Sequence, residues 1–386
     1  MQKARSLDLN KDKFALFYVL NYSLPICVVN LLFYKSKGLS FKEIMFLEAI
    51  TSIVTILLEI PSGVLADTYG RKNLLLIGQG FSMLALFLIL ISKKYVLFIL
   101  SAIFFGISDS AISGSDIALI YDYFKFNLEE NIFEEYFARI NSYKFIVFSI
   151  TTLVGGSIFV YNCNLVVILS IILQFMSFIA IILFKEDFER KNLENFYIKD
   201  SFIEDLKILK RKELFGITVV FLIMTIVIAT LNQFTQEYLV EINFDLRYLG
   251  ILYFIFNIIS AVGSRFYKII NKVNITNVIL IFSIFLFALA FDFNLSGILI
   301  LIIFRFFSSG ILPILNTRFN EFIPSDERAS IISYKNLLIS LSFIIFDPIN
   351  GAIVDYKNVH FLYLMCSLVL FLYFLKRALS RKKYEF

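Results

Sequence analysis

Apolar residues run along this chain in blocks of about twenty, separated by short polar segments, with neither the strict alternation of strands nor the single apolar stripe of a water-soluble helix. A helix rises about 1.5 Å per residue, so a block of about 20 residues crosses the ~30 Å hydrocarbon core of a bilayer. Twelve such blocks can be laid out, over 14–33, 43–66, 73–92, 95–123, 140–161, 164–184, 214–237, 248–270, 274–292, 296–317, 330–354 and 359–376. They predict an all-α membrane protein with twelve transmembrane helices. The first block follows a polar start, MQKARSLDLNKDK, but it exceeds a signal-peptide core and has no small-residue cleavage site, so it reads as a retained helix.

One long polar stretch, 185–213, leaves six blocks on either side. The chain therefore divides into an N-terminal six-helix bundle (1–184), a cytoplasmic linker (185–213) and a C-terminal six-helix bundle (214–386), the outline of a duplicated transporter. Within the linker, Ser201 and Glu204 make a capping box, and Ile198, Phe202, Ile203, Leu206 and Leu209 recur at helical spacing among Lys207, Lys210, Arg211 and Lys212. The pattern predicts an amphipathic helix lying on the inner membrane surface.

Composition agrees with the pattern. Of 386 residues, 59% are hydrophobic and 17% charged, against about 45–50% and about 25% in ordinary soluble domains. Too little polar material remains to cover a water-facing surface. If both termini are cytoplasmic, most of the 36 Lys and Arg residues fall on cytoplasmic segments, as basic residues do in membrane proteins. The net charge of +5 thus describes insertion, and no basic face for nucleic acid is present. Cys27, Cys163 and Cys366 are widely separated, the single histidine, His360, stands near the outer end of the last block, and no G-x-x-x-x-G-K-[ST] phosphate loop occurs. Neither a metal site, a cofactor, nor an enzyme's catalytic constellation is expected, and an ion gradient is the expected drive.

The stretch EIPSGVLADTYGRK, 59–72, sets charges abruptly against an apolar run. Gly63 is expected to permit close helix approach and Gly70 a tight turn, while Asp67, Arg71 and Lys72 meet at the lipid–water boundary, where charge pairs are partly dehydrated. Such a knot can latch one conformation and release another. GVLADTYGRK resembles the signature loop between helices 2 and 3 of the major facilitator superfamily. SGSDIALIYDYF (113–124) and RFNEFIPSDERASIISYKN (318–336) are similar to segments of a bacterial drug and metabolite permease clade of that family. The second half keeps a degraded copy of the loop, GSRFYKIINK (263–272), without its acid. The resemblance implies two pseudo-symmetric six-helix bundles, alternating access by rocking, a cavity lined by helices 1, 4, 7 and 10, and residence in the bacterial cytoplasmic membrane.

A charge near the bilayer centre costs about 2.5–3.5 kcal/mol on insertion scales, so such residues usually face a cavity or a partner. Glu59, Asp109, Asp116 and Arg305 stand out, whereas Glu48 and Glu237 read as interfacial. Seven residues separate Asp109 from Asp116, which places them on one helical face with Ser113 between. Arg305 occupies the span that the resemblance makes the mate of theirs. Asp109 is read as the acid that couples transport to protons, Asp116 as its assistant, and Arg305 as its electrostatic partner. A purely structural Asp–Arg pair is the alternative. Glu59, close to Pro61, reads as structural or as a second proton site. In the spans that the resemblance assigns to the cavity, Asn21, Tyr22 and Asn30 (around Pro25), Asn232, Gln233 and Gln236, and Asn316 are substrate-contact candidates, each equally able to hydrogen-bond a neighbouring helix.

A cavity otherwise aromatic and aliphatic suits an amphipathic or lipophilic compound better than a sugar. The expected function is proton-coupled efflux of such compounds by a monomer whose partners are the substrate, protons and the bilayer. Antiporters of the family usually carry a Gly- and Pro-containing signature in helix 5, whereas TTLVGGSIF (151–159) has the glycine pair and no proline. Proton-coupled uptake of a small metabolite is therefore the alternative, and a non-transporting receptor or scaffold a third reading.

Overall fold

The computed structural model describes residues 2–186, 212–266, 274–321, 323 and 328–379. The expected linker helix and most of the loop 263–272 lie outside the described residues. Every regular element among the described residues is helical: α1 (Gln2–Asn21), α2 (Asn30–Ser36), α3 (Phe41–Tyr69), α4 (Arg71–Ile91), α5 (Tyr95–Ile112), α6 (Ser115–Phe126), α7 (Phe133–Phe159), α8 (Cys163–Leu183), α9 (Lys212–Glu241), α10 (Leu249–Arg265), α11 (Ile275–Phe291), α12 (Gly297–Glu321), α13 (Arg328–Tyr356) and α14 (Val359–Leu379).

Among the described residues ten helical segments are long and apolar enough to span a bilayer, and a bent pair makes an eleventh. The shorter apolar helix α11 falls on the remaining expected span. The bent pair, Leu9–Val28 and Asn30–Ser36, turns by 49°. Pro25 opens a 3-10 turn there, and Leu24 before it is extended, as a residue preceding proline prefers. Large side chains such as Leu57, Ile60, Phe145, Leu299 and Leu372 are exposed along the helices. So much apolar surface is at rest only against lipid tails.

The chain forms two compact units: one of Met1–Leu39, Leu47–Tyr197 and Arg247–Phe254, the other of Ser40–Phe46, Ile198–Leu246 and Ile255–Phe386. In the first, α4 packs on α5 and α8, and α1 on α7 and α8. Phe14, Phe17, Leu119, Phe124, Ile181 and Phe184 form its main buried cluster. Gly156 meets Gly250 there so closely that a Cβ on Gly250 would stand 2.2 Å from the Leu153 carbonyl oxygen.

In the second unit α11 packs on α14, and α9 on α12 and α13. Small hydroxyls bring α11 and α14 together: Ser283 Oγ donates to the Ser367 carbonyl (3.0 Å) and Ser367 Oγ to the Ser283 carbonyl (2.8 Å). Asp355, near the end of α13, accepts the backbone N–H groups of Phe41 (2.9 Å) and Lys42 (2.7 Å), satisfying donors that the start of α3 leaves unpaired.

Candidate functional site

The charged loop forms a knot that extends beyond the residues expected from sequence. Gly70 takes φ +100° between α3 and α4, a conformation glycine adopts without steric cost. Arg71 lies 4.0 Å from Asp67, donates to the Ala118 carbonyl (2.8 Å), and pairs with Asp122. Lys72 caps the end of α8, donating to the carbonyls of Ile182 (2.8 Å) and Phe184 (2.6 Å). Asp122 is therefore the acid that fixes Arg71, missed because it is remote in sequence. Gly63 departs from expectation: a Cβ there would meet nothing within 4 Å, so no close helix contact depends on it.

Between α5 and α6 the fourth span is interrupted. Gly114 takes φ +78°, and the helix stops at Ile112 and restarts at Ser115. The shared face deduced for Asp109 and Asp116 presumed a continuous helix; the break falls between them, and both acids still act on Tyr22. A Cβ on Gly114 would touch nothing within 4 Å, so the cost of adding one is conformational alone. Gly114→Ala should lose about 1–2 kcal/mol, seen as a lower melting temperature of the purified protein in detergent.

Asp116 is 2% exposed. It accepts a hydrogen bond from Tyr22 Oη (2.8 Å) and from the Ile117 amide (2.7 Å). The Lys144 ammonium lies 5.3 and 5.5 Å from the ring centres of Tyr18 and Tyr22, and its charge acts on Asp116. Tyr18 in turn donates to Asn141 (3.1 Å). Two aromatic faces and one carboxylate thus hold an ammonium among α1, α6 and α7. Lys144 lies five residues into the span expected from 140, where a sequence count assigns it to the cytoplasmic end.

Asp109 stands on the other side of the break, with its side chain exposed. Its electrostatic neighbour is Glu48 of α3, which accepts from Asn30 Nδ2 (3.1 Å). The interfacial reading of Glu48 is corrected here: it lies seven residues inside α3 and belongs with Asn30 and Asp109. The spacing of α3 and α5 depends on Gly106, where a Cβ would stand 2.6 Å from Val54 Cβ and 2.7 Å from the Thr51 carbonyl. Thr51 Oγ1 donates to the Ala102 carbonyl (3.1 Å) and Thr55 Oγ1 to that of Gly106 (3.3 Å), tying the same seam.

Other candidates are held differently. Asn21 Oδ1 accepts from Gln79 (2.8 Å) and Gln174 (3.2 Å), and Gln174 Nε2 also donates to Gln79 Oε1 (2.7 Å), a buried amide cluster joining α1, α4 and α8. Glu59 is exposed, and its carbonyl accepts from Ser62 Oγ (2.9 Å).

In the second unit, Gln233 Nε2 lies 3.4 Å from Asp347 Oδ2, and Asn350 donates to Thr230 Oγ1 (3.0 Å). Asp347 and Gln236 are buried, whereas Asn232 is half-buried with its Oδ1 lacking a hydrogen-bond partner among the described residues. The guanidinium of Arg305 lies 5.2 Å over the Phe256 ring, within this unit. Asn316 accepts from Lys335 (2.5 Å). His360 is buried, with Nδ1 3.0 Å from the Leu289 carbonyl and Nε2 3.4 Å from Glu241, joining α14 to α9. Asp347 and Lys335 are not among the intramembrane charges singled out from sequence, although both fall within the expected span 330–354.

Membrane-length helices that carry charges within each unit define a polytopic membrane protein. The Major Facilitator Superfamily model matches residues 14–346, and the chain belongs to that family. No curated protein matches it in sequence. Among solved structures, the nucleoside transporter NupG is similar at 14% identity and TM-score 0.77, covering 98% of this chain and 99% of that one. A bacterial homologue of the human lysosomal transporter Spinster, in an inward-facing and unoccupied conformation, is similar at 13% identity and TM-score 0.67, covering 94% of this chain and 88% of that one. These likenesses are of fold.

Proposed function

We propose that the protein is a secondary active transporter that exports small amphipathic or lipophilic compounds in exchange for protons. The observation that carries this reading is Asp109: an exposed carboxyl within a membrane span, beside a second acid, Glu48, that is itself fixed by Asn30. A carboxyl holds its proton more tightly when dry or beside another acid, and less tightly when wet or beside a cation. Alternating access changes such surroundings once per cycle, which loads a proton on one side and releases it on the other.

Asp116 with Lys144, and Arg305 over Phe256, are the charges assigned to assist. The knot of Asp67, Gly70, Arg71, Lys72 and Asp122 serves as the latch of the cycle. Asn30, Tyr22, Asn232, Gln233 and Asn316 supply the polar contacts to substrate.

Uptake of a small polar metabolite is the second reading. It is favoured by the amide and carboxyl cluster of Gln233, Asp347, Asn350 and Thr230 and by the fold shared with a nucleoside transporter. A growth screen of overexpressing cells against toxic compounds and sole nutrients separates the two. Resistance to lipophilic toxins is the expected result, and growth on a limiting nutrient with no resistance would replace export by uptake.

A further inference from the structure

Lys335 is the most deeply buried lysine among the described residues, at 5% exposure. It projects from α13 and, among the described residues, makes one hydrogen bond, to Asn316 Oδ1 on α12. Its ammonium lies 4.4 Å from the centre of the Phe221 ring on α9 and 5.1 Å from that of Phe319 on α12. Among the described residues no carboxylate forms an ion pair with it. Phe319 itself belongs to a buried apolar cluster with Leu214, Ile217, Ile323 and Ile331.

An ammonium carries three hydrogen-bond donors, and burial is tolerated when they and the charge are answered. Among the described residues one donor is used, two aromatic faces give partial compensation, and no ion pair answers the charge. Three helices of one unit thus enclose a charge that is incompletely answered among the described residues, beside two aromatic rings. A structural lysine would be expected to end on a carboxylate or to reach water.

We propose that, in the conformation of the cycle that opens this region, Lys335 receives the anionic group of an amphipathic substrate, whose apolar body then lies against Phe221, a ring that is buried here. The donors left on the ammonium suit a carboxylate or sulfonate. This assignment rests on the export reading and narrows it to lipophilic acids.

The test is thermal stability of the full-length protein in detergent, titrated with naphthalenesulfonate and with naphthyltrimethylammonium, a cation of similar size, in gluconate and again in chloride. Saturable stabilisation by the sulfonate alone is expected. Lys335→Arg should keep the response. Lys335→Gln and Lys335→Met should weaken apparent affinity by about tenfold or more, as loss of a charge-assisted hydrogen bond does. Ligand-free Lys335→Met should melt at least as high as wild type, because it removes an uncompensated charge, and this keeps the test clear of misfolding.

An equal response to the cation, an undiminished response in Lys335→Met, or stabilisation by chloride as large as by the sulfonate would each overturn the assignment. Because the readout is binding, failure of export is separable. Reconstituted protein that binds the sulfonate through Lys335 yet moves no solute under a pH gradient would refute export and retain the site. Proton-driven flux of lipophilic cations, undiminished in Lys335→Gln, would do the reverse.

Discussion

Asp109→Asn is expected to abolish proton-driven accumulation while leaving substrate binding within a fewfold of wild type. A pH gradient of about one unit supplies about 1.4 kcal/mol per proton, enough for about a tenfold concentration ratio of substrate per proton exchanged. Proteoliposomes bearing the wild-type chain should approach that ratio, whereas the variant should only equilibrate its substrate. Asparagine matches aspartate in shape and cannot take up a proton, so the substitution isolates titration from packing. Glu48 supplies the control. If the two acids share the coupling proton, Glu48→Gln should shift the pH at which transport is half-maximal without ending it. Accumulation by Asp109→Asn equal to that of wild type would remove this acid from the cycle.

What the sequence made legible follows from how far each signal reaches. Blocks of apolar residues are local, and the helices of the fold lie where those blocks fall, from Phe41–Tyr69 to Val359–Leu379. The turn at Gly70 was equally readable, since a glycine between charges at the end of an apolar run has few other uses. The partners of charged residues were not. Asp122 answers Arg71 from 51 positions away, and Asn30 answers Glu48 from another helix. No pattern along one helix encodes which face of another it will meet.

The break between Asp109 and Asp116 was hidden for a related reason. Periodicity assumes an unbroken helix, and Gly114 is where the helix turns at positive φ. Lys144 and Lys335 were hidden by their places near span ends, where a count of bases assigns them to the cytoplasm although packing draws both against aromatic rings.

Gly106→Val should cost more than any other single change in the first unit's candidate site, because it acts on the framework that sets the spacing of its two acids. The Cβ would fall 2.6 Å from Val54 Cβ and 2.7 Å from the Thr51 carbonyl oxygen, and the second of these is backbone that cannot rotate away. Relief requires α3 and α5 to separate. Overpacking of this kind typically costs about 1–3 kcal/mol, and here separation also strains the bonds from Thr51 to Ala102 and from Thr55 to Gly106. Glu48 lies one turn before Thr51, and Asp109 one turn after Gly106, so the same movement parts the acids. The expected result is a lower melting temperature together with transport whose pH optimum shifts toward that of Glu48→Gln. Gly106→Ala should show both effects in smaller measure, and the double variant Gly106→Ala with Val54→Ala should recover part of each, since it returns volume to the seam. A Gly106→Val protein that melts and transports as wild type would mean that α3 and α5 do not hold this spacing, and that the acids are set apart by something other than their packing.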